Sequence, residues 1–318
     1  MSAFAYRTQE LKHRNRTASH PLLAQVGNTP LLPLERITAS LPTQVRLLAK
    51  AEWLNPTGSV KDRPAANILK TALERGEFDK GQALLDSSSG NMGIAYATFG
   101  AALGIEVHLA VPANATQARL STLKALGVHL TLTDPTEGTD GAREVAIEMA
   151  QQEPDRFYFA DQYSNIANVQ AHYETTGPEI HRQSRGRITH FVAGLGTSGT
   201  LVGTGHYLRQ HAPAAQLVAV QPDGPLHGLE GLKHYQSAHV PEIFEADLPD
   251  RIIEVSTERA YEMTRRLARE EGMLVGVSAG AAVAAAINLG QELEEAEIVV
   301  LLPDTGSRYL GEPFWEAT

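Results

Sequence analysis

The chain has 318 residues, 42% of them hydrophobic, which is enough for a large core in one or two domains. Its net charge of −10, with no run of lysine and arginine, argues against a nucleic-acid or anionic-membrane partner. The absence of cysteine excludes disulfides, thiolate zinc sites and cysteine nucleophiles. Residues 1–16 lack the pattern of a signal peptide, and no apolar run reaches membrane-spanning length, so we expect a soluble cytoplasmic protein.

Short β-branched runs alternate with longer amphipathic segments along the whole chain. The predicted strands are 45–53, 82–88, 106–112, 128–134, 156–161, 188–194, 215–222, 251–256 and 297–303. The predicted helices are 62–75, 92–103, 116–126, 139–152, 168–184, 199–211, 257–271 and 279–291. This alternation predicts an α/β fold with largely parallel sheets. Because nine strands are more than one compact sheet usually holds, we expect two sheets in two domains.

The first motif is NPTGSVKDRPA at 55–65, which places Lys61 at the start of a predicted helix. A positive charge is disfavoured there by the helix dipole, so the position favours a neutral amine. The segment therefore predicts a turn that holds one functional lysine. Alternatively, Ser59 and Asp62 form a capping box and the neighbouring charges belong to an ordinary first helical turn.

Two small-residue turns each follow a predicted strand and precede a predicted helix. They are SSSGNMG at 87–93 and GLGTSGTLVGTG at 194–205. Each offers backbone N–H groups at a helix N-terminus, which favours binding of an anion such as a phosphate; the alternative for each is a plain turn. The second turn partly matches G-x-G-x-x-G, but no lysine follows as in a P-loop, and the next strand ends without a clear ribose-binding acid.

A third small-residue segment, GVSAGAAVAAA at 276–286, places Ser278 beside a predicted helix of small residues. Ser278 is either an N-cap or a hydroxyl directed into a cleft at the strand ends. The twelve histidines show no H-x-H or H-E-x-x-H spacing, so we predict no metal site. There is no G-x-S-x-G sequence either, and no catalytic triad is predicted.

A lysine amine forms Schiff bases with carbonyl compounds, including pyridoxal phosphate, and that cofactor also needs a phosphate site and groups around its ring. The chain resembles the pyridoxal-phosphate enzymes of fold type II, specifically the cysteine synthases (O-acetylserine sulfhydrylases). The resemblance extends from GNTPL at 27–31 to GSRYL at 306–310. It rests on NPTGSVKDR, AHYETTGPEI at 171–180, GLGTSGTLVGTG and GVSAGAAVAAA, which occur in the family's order and spacing.

The resemblance implies a role for each motif residue. Lys61 would form the Schiff base with the cofactor, Asn91 would bind its 3′-oxygen and Ser278 would face its pyridine nitrogen. The cofactor phosphate would be held by Gly196, Thr197, Ser198, Gly199 and Thr200. The substrate carboxylate would be bound by Ser88, Ser89, Asn91, Met92 and Gln162.

The resemblance also implies two α/β domains, each with a central, largely parallel sheet, and a homodimer. A smaller, mobile domain at 50–162 would bind the substrate carboxylate. A larger domain, formed by 1–49 and 163–318, would bind the cofactor phosphate. The implied reaction is β-replacement on O-acetyl-L-serine or O-phospho-L-serine, in which Lys61 moves the α-proton and a sulfur nucleophile such as sulfide gives L-cysteine.

Two positions depart from the usual pattern of the family. Met92 replaces a threonine in the carboxylate loop, which removes a hydroxyl but keeps the backbone N–H. The segment HGLEGLKH at 227–234 resembles the B-type and O-phosphoserine-using branches, in which Lys233 would meet the leaving group. Three alternatives stay open: a synthase of cystathionine or a diaminopropionate derivative, a serine or threonine dehydratase, and a binding module without turnover.

Overall fold

The computed structural model describes residues 20–78 and 81–316. The N-terminal segment 1–16 considered above lies outside these residues. Contacts divide the chain into two compact units: Lys61–Asn168 together with the described residues up to Val26, and Gly27–Val60 together with the chain from Val169 onward. The sequence predicted a smaller domain at 50–162.

The first unit has a four-stranded sheet in the order β5-β4-β3-β6, and every neighbouring pair is parallel. Its strands are β3 (Ala83–Ser87), β4 (Val107–Pro112), β5 (His129–Thr133) and β6 (Phe157–Phe159). Its helices are α1 (Asp62–Arg75), α2 (Asn91–Leu103), α3 (Gln117–Ala125), α4 (Gly138–Gln152) and the short α5 (Ile166–Ala171). Strands β3 and β4 are buried along their whole length, as expected for parallel strands covered on both faces.

The second unit has a six-stranded sheet in the order β1-β2-β10-β7-β8-β9. Its strands are β1 (Leu31–Leu34), β2 (Gln44–Ala51), β7 (His190–Gly194), β8 (Gln216–Pro222), β9 (Arg251–Val255) and β10 (Glu295–Leu302). Only β1 runs antiparallel to its neighbour. A π-helical turn at His172–Thr176 leads into α6 (Gly177–Gln183), which is followed by α7 (Gly199–His211), α8 (Thr257–Glu270) and α9 (Val277–Gln291).

Helix α9 is almost entirely buried because it consists largely of alanine, glycine and short apolar residues. A Cβ added at Gly280 would lie 2.1 Å from Thr264 Oγ1 and 2.3 Å from the Ala260 carbonyl oxygen on α8. Glycine at this position therefore allows the two helices to approach closely. The packing fixes the start of α9, where Ser278 lies.

The α/β fold class and the two largely parallel sheets are confirmed. The nine predicted strands and eight predicted helical segments all occur among the described residues, with small shifts at their ends. Strand β1 was missed, and the helix predicted at 168–184 is interrupted by the π-helical turn. Among the described residues, no helix has the length and apolar character needed to cross a membrane.

Candidate active site

Lys61 is the N-cap residue of α1, with helical dihedral angles of φ −68° and ψ −14°. Its side chain is half-buried and makes no capping bond to the helix. The alternative that Ser59 and Asp62 form a capping box is wrong, because the helix begins after Lys61. Lys61 thus occupies the position where the first-turn N–H groups are exposed and the dipole is positive.

The turn that precedes Lys61 is fixed by polar contacts within the second unit. Asn55 Oδ1 accepts from the Gly27 N–H over 2.9 Å, and Asn55 Nδ2 donates to Glu52 Oε2 over 2.8 Å. The N–H of Val60 donates to the Pro303 carbonyl over 2.7 Å. Gly58 has a φ of +84°, which only glycine adopts without strain. The turn is therefore held from both sides.

Further hydrogen bonds connect this turn to the first and last segments that resemble the family, 27–31 and 306–310. Thr29 Oγ1 donates to the buried carboxylate of Glu52 over 2.6 Å, which ties GNTPL to the residues before the turn. The N–H of Thr305 donates to the Gly58 carbonyl over 3.1 Å, and Arg308 donates to the Thr57 carbonyl. Both end segments therefore support the lysine turn.

The serine-rich loop connects the carboxyl end of β3 to the start of α2. Helix α2 begins at Asn91 with Gly90 as its N-cap, and no side chain caps it. Ser88 Oγ accepts from the Gly90 N–H over 3.3 Å. A Cβ at Gly93 would lie 2.3 Å from the Ser88 carbonyl oxygen, so the loop folds tightly over the helix start. The Met92 side chain is buried in the apolar core, which leaves its backbone N–H as the group that can bind a ligand.

Gln162 lies beside this loop, as its predicted role requires. Its Nε2 donates to the Ser87 carbonyl over 3.3 Å, and its own carbonyl accepts from Asn168 Nδ2 over 2.9 Å. Asp161, which precedes it, has a φ of +35° and receives two bonds from Arg143 at 3.1 and 2.7 Å. Arg143 was not singled out in the sequence, yet its bidentate contact fixes the backbone that presents Gln162.

Asp86 is a fully buried carboxyl group directly before the serine loop. Its two oxygens accept from the N–H groups of Ser87 over 2.7 Å and Gln162 over 3.3 Å. The Tyr96 hydroxyl faces the same carboxyl group without completing a well-formed hydrogen bond. Burial raises the pKa of Asp86 to about 7, and the negative charge of Asp161 adds to this rise against the effect of the hydrogen bonds.

The glycine-rich loop at 194–199 connects β7 to α7 in the second unit. Ser198 is the N-cap of α7 with a φ of +67°, and its side chain does not cap the helix. A Cβ at Gly196 would lie 2.4 Å from the Gly231 carbonyl oxygen. The segment that carries Lys233 packs on this loop, because the Lys233 N–H donates to the Leu195 carbonyl over 2.8 Å. Half-buried Lys233 is thus brought beside the predicted phosphate loop.

Two contacts, one to this loop and one to the first turn of α7, were not predicted. The Tyr235 hydroxyl donates to the Gly196 carbonyl over 3.0 Å. Thr200 Oγ1 lies 3.2 Å from Nε2 of buried His172, whose Nδ1 lies 2.9 Å from Thr176 Oγ1. His172 and Thr176 are the first and last residues of the π-helical turn. Such turns are common at functional sites. The segment AHYETTGPEI at 171–180, which contains both residues, was noted in the sequence only because it resembles the family.

Ser278 is the second residue of α9, and Gly276 is its N-cap. The alternative that Ser278 caps the helix is therefore wrong. A Cβ at Gly276 would lie 2.1 Å from Asp304 Oδ1, and the Tyr309 hydroxyl donates to Asp304 Oδ2 over 2.7 Å. These contacts with the C-terminal segment fix the first turn of α9 and hold Ser278 in a buried position.

Comparisons with known proteins agree with these motifs. The model of the family described as "Pyridoxal-phosphate dependent enzyme" matches residues 22–304. The chain belongs to this family of pyridoxal-phosphate dependent enzymes. It is 48% identical over 300 residues to a cysteine synthase of Aquifex aeolicus, which covers 93% of this chain and 92% of that protein.

Two further family members extend the comparison. Cysteine synthase B of Pseudomonas aeruginosa is 41% identical, covering 94% of this chain and 99% of that protein. The crystal structure of a cysteine synthase from Entamoeba histolytica superposes with a TM-score of 0.90 at 32% identity, covering 94% of this chain and 91% of that one. The resemblance to cysteine synthases and the dependence on pyridoxal phosphate are confirmed, and the match to a cysteine synthase B agrees with the B-type branch.

The described residues fit the cofactor of this family. Helices α2 and α7 begin without a side-chain cap and without an acidic residue in their first turn, so no carboxylate of that turn repels an anion. The close approach of Gly231 to Gly196 leaves no room for a side chain in the loop before α7. A phosphate or carboxylate therefore suits these helix starts.

The raised pKa of Asp86 predicts a pH-dependent stability. The unfolded chain releases this proton near pH 3.8 and the folded chain near pH 7, so unfolding releases a proton between these values. The free energy of unfolding should therefore fall as the pH rises from about 4 to about 7, by up to about 1.4 kcal/mol per pH unit. Chemical denaturation at a series of pH values checks this.

Asp86→Asn should lose this component of the pH profile. Asp134→Asn is the matched control, because hydrogen bonds from Thr136 lower the pKa of Asp134, and its titration lies below the same window. Parallel profiles for the wild-type chain and Asp86→Asn between pH 4 and 7 would contradict the assignment.

Proposed function

We propose that the chain is a cysteine synthase that converts O-acetyl-L-serine or O-phospho-L-serine and sulfide into L-cysteine. The observation that carries the proposal is the 48% identity to a cysteine synthase over almost the whole chain. The position of Lys61 at a helix start, after a turn held by hydrogen bonds, also supports the proposal. No motif of the chain calls for a different reaction class.

The cofactor residues are those of the motifs. Lys61 would hold pyridoxal phosphate as a Schiff base, Asn91 would bind its ring oxygen and Ser278 its ring nitrogen. The phosphate would be bound by Gly196, Thr197, Ser198, Gly199 and Thr200. When bound, the cofactor supplies an electron sink for the bonding pair of the substrate's Cα–H bond, and a neutral serine beside the ring nitrogen keeps that sink weak, which favours β-elimination.

The substrate carboxylate would be bound at the start of α2. Ser88, Ser89 and Asn91 provide side-chain groups and Met92 its backbone N–H, while Gln162 completes the set from the other side of the loop. The positive end of the α2 dipole favours the carboxylate. This binding orients the substrate so that its α-proton can face a base.

In this proposal the substrate's amine takes the place of Lys61 on the cofactor, and the freed Lys61 Nζ is the base. It takes the α-proton as the acetate or phosphate leaves Cβ, and it returns the proton to Cα after the sulfur nucleophile has bonded to Cβ. The leaving group departs before the nucleophile binds, so the two substrates should show ping-pong kinetics. Water must be excluded between the two steps, because it would compete with the sulfur nucleophile.

The proposal also includes a cytoplasmic homodimer, as expected for a cysteine synthase of amino-acid biosynthesis. Light scattering on the purified protein would test the dimer: a mass of about twice 34.3 kDa supports it.

A substrate panel tests the function. O-acetylserine, O-phosphoserine and serine are each mixed with sulfide, thiosulfate or homocysteine, and the products are identified by mass spectrometry. We expect cysteine from an activated serine and sulfide. Preferred formation of cystathionine, or of pyruvate from serine, would replace the proposal by the corresponding alternative.

Lys61→Ala should remove both the visible absorbance of the bound cofactor and the formation of cysteine, while circular dichroism stays native. Lys70→Ala on the same helix is the control, because Lys70 is exposed and lies 4.0 Å from the side chain of Glu74. Cysteine formation at the wild-type rate by Lys61→Ala would rule out the mechanism.

Lys233 provides a prediction about the leaving group. A phosphate dianion gains more from a nearby ammonium group than a neutral acetyl ester does. Lys233→Ala should therefore lower kcat/KM for O-phosphoserine by roughly ten- to a hundredfold, or about 1–3 kcal/mol, and change the value for O-acetylserine little. Added salt should partly reproduce this loss.

Lys124→Ala is the matched control, since Lys124 is exposed in the last turn of α3. Equal losses on both substrates, or no loss on either, would remove Lys233 from the substrate site and favour O-acetylserine.

A further inference from the structure

A cluster of three potential metal ligands lies in the first unit, away from the motifs described above. Glu106 precedes β4, His108 lies on β4, and His129 is the first residue of β5. His108 and His129 are direct partners in the parallel pairing of these strands. Glu106 and His108, two residues apart, project from the same face of the sheet. Strand pairing thus brings His129 beside two side chains that are close together in sequence on the neighbouring strand.

The ligand atoms converge on one point. His108 Nε2 lies 2.7 Å and His129 Nε2 lies 3.2 Å from the same oxygen, Glu106 Oε1. The two imidazole rings are stacked, with centroids 4.5 Å apart and planes inclined by 14°. One ligand atom from each of the three residues lies within 4.8 Å of the other two. Bound zinc lies about 2.0–2.2 Å from imidazole nitrogen and carboxylate oxygen, so small side-chain rotations would place an ion among them.

The surroundings fix one ligand and leave the others accessible. The His108 side chain is 8% exposed, whereas those of Glu106 and His129 are 53% and 61% exposed. Phe157 packs edge-on against the His108 ring at 5.1 Å, and Arg156 lies over the Phe157 ring at 4.8 Å. The positive charge of Arg156 is paired with Glu153 at 2.9 Å. One ligand is therefore pre-oriented, and an ion can enter from solvent.

We propose that Glu106, His108 and His129 form a binding site for a divalent transition-metal ion, and that zinc is its ion. Two neutral imidazoles and a carboxylate are ligands that suit zinc, and water would complete a tetrahedral site. Among the described residues, this is the one group of three such side chains with converging ligand atoms. The sequence prediction of no metal site considered spacing along the chain, whereas this site depends on the pairing of two strands.

The location gives the ion a structural role. The site lies at the amino ends of β4 and β5, whereas the serine loop follows the carboxyl end of β3 in the same sheet. His108 is paired with Leu85, and three further residues along β3 to Ser88 span about 10 Å. Because β5 is the edge strand, the ion would attach the edge of the sheet to its neighbour and stabilise the first unit without touching the predicted substrate loop.

Titration of the chelator-treated holoenzyme with Zn²⁺, against a chromophoric chelator, tests the site. We expect one equivalent to bind per chain, and affinity to fall by at least about tenfold in both His129→Gln and Glu106→Gln. Both side chains are exposed, so the variants should fold. Zn²⁺ should also raise the unfolding temperature of the wild-type protein but not of the variants.

His206→Gln is the matched control. His206 is an exposed histidine that lies 2.8 Å from Glu245, and no third ligand joins them among the described residues. Its replacement should leave zinc affinity unchanged. Absence of zinc binding by the wild-type protein, or equal affinity in His129→Gln and the wild type, would overturn the proposal.

Discussion

The backbone N–H groups in the first turn of an α-helix have no carbonyl acceptor within the same helix. This constraint links the motifs of the chain. Lys61, Gly90, Ser198 and Gly276 are N-cap residues, and none of them caps its helix with a side chain. By contrast, Ser256 caps α8 by accepting from the Arg259 N–H. At the starts of α2 and α7, with no acidic residue in the first turn, the first-turn N–H groups and the positive dipole end suit a phosphate or a carboxylate.

Buried polar groups hold these helix starts in place. In the first unit, Asp86 accepts from Ser87 and Gln162 beside the serine loop. In the second unit, Asp304 accepts from Tyr309 next to the start of α9.

A buried polar group is costly unless it is hydrogen-bonded, so each network makes alternative loop positions unfavourable. Asp86 shows the cost directly, since its burial raises its pKa to about 7. The same core that stabilises the fold therefore also determines the geometry of the loops.

Most of the fold could be predicted from the alternation of β-branched and amphipathic segments, because buried parallel strands and their crossover helices have distinct patterns. Strand β1 escaped detection because it has four residues and includes Pro33, which an edge strand tolerates. The π-helical turn at 172–176 has helical periodicity on both sides and no local sequence signal.

Some residues of the candidate site could likewise be predicted from the sequence, and others could not. Lys61 and the glycine loops could be found from the sequence, because each has local turn chemistry next to a predicted helix. Arg143 and Tyr235 could not, because their contacts depend on tertiary packing. The cluster of Glu106, His108 and His129 needed the register of β4 against β5, which no local pattern contains.

Hydrogen–deuterium exchange of the chain with and without pyridoxal phosphate tests the central proposal, that the loop before α7 and the start of that helix bind the cofactor phosphate through their backbone N–H groups. The account predicts that the cofactor slows exchange of the amides at 196–201, whereas the first turn of α8, already capped by Ser256, changes little. Unchanged exchange at 196–201 in the cofactor-loaded protein, or equal protection at the start of α8, would contradict it.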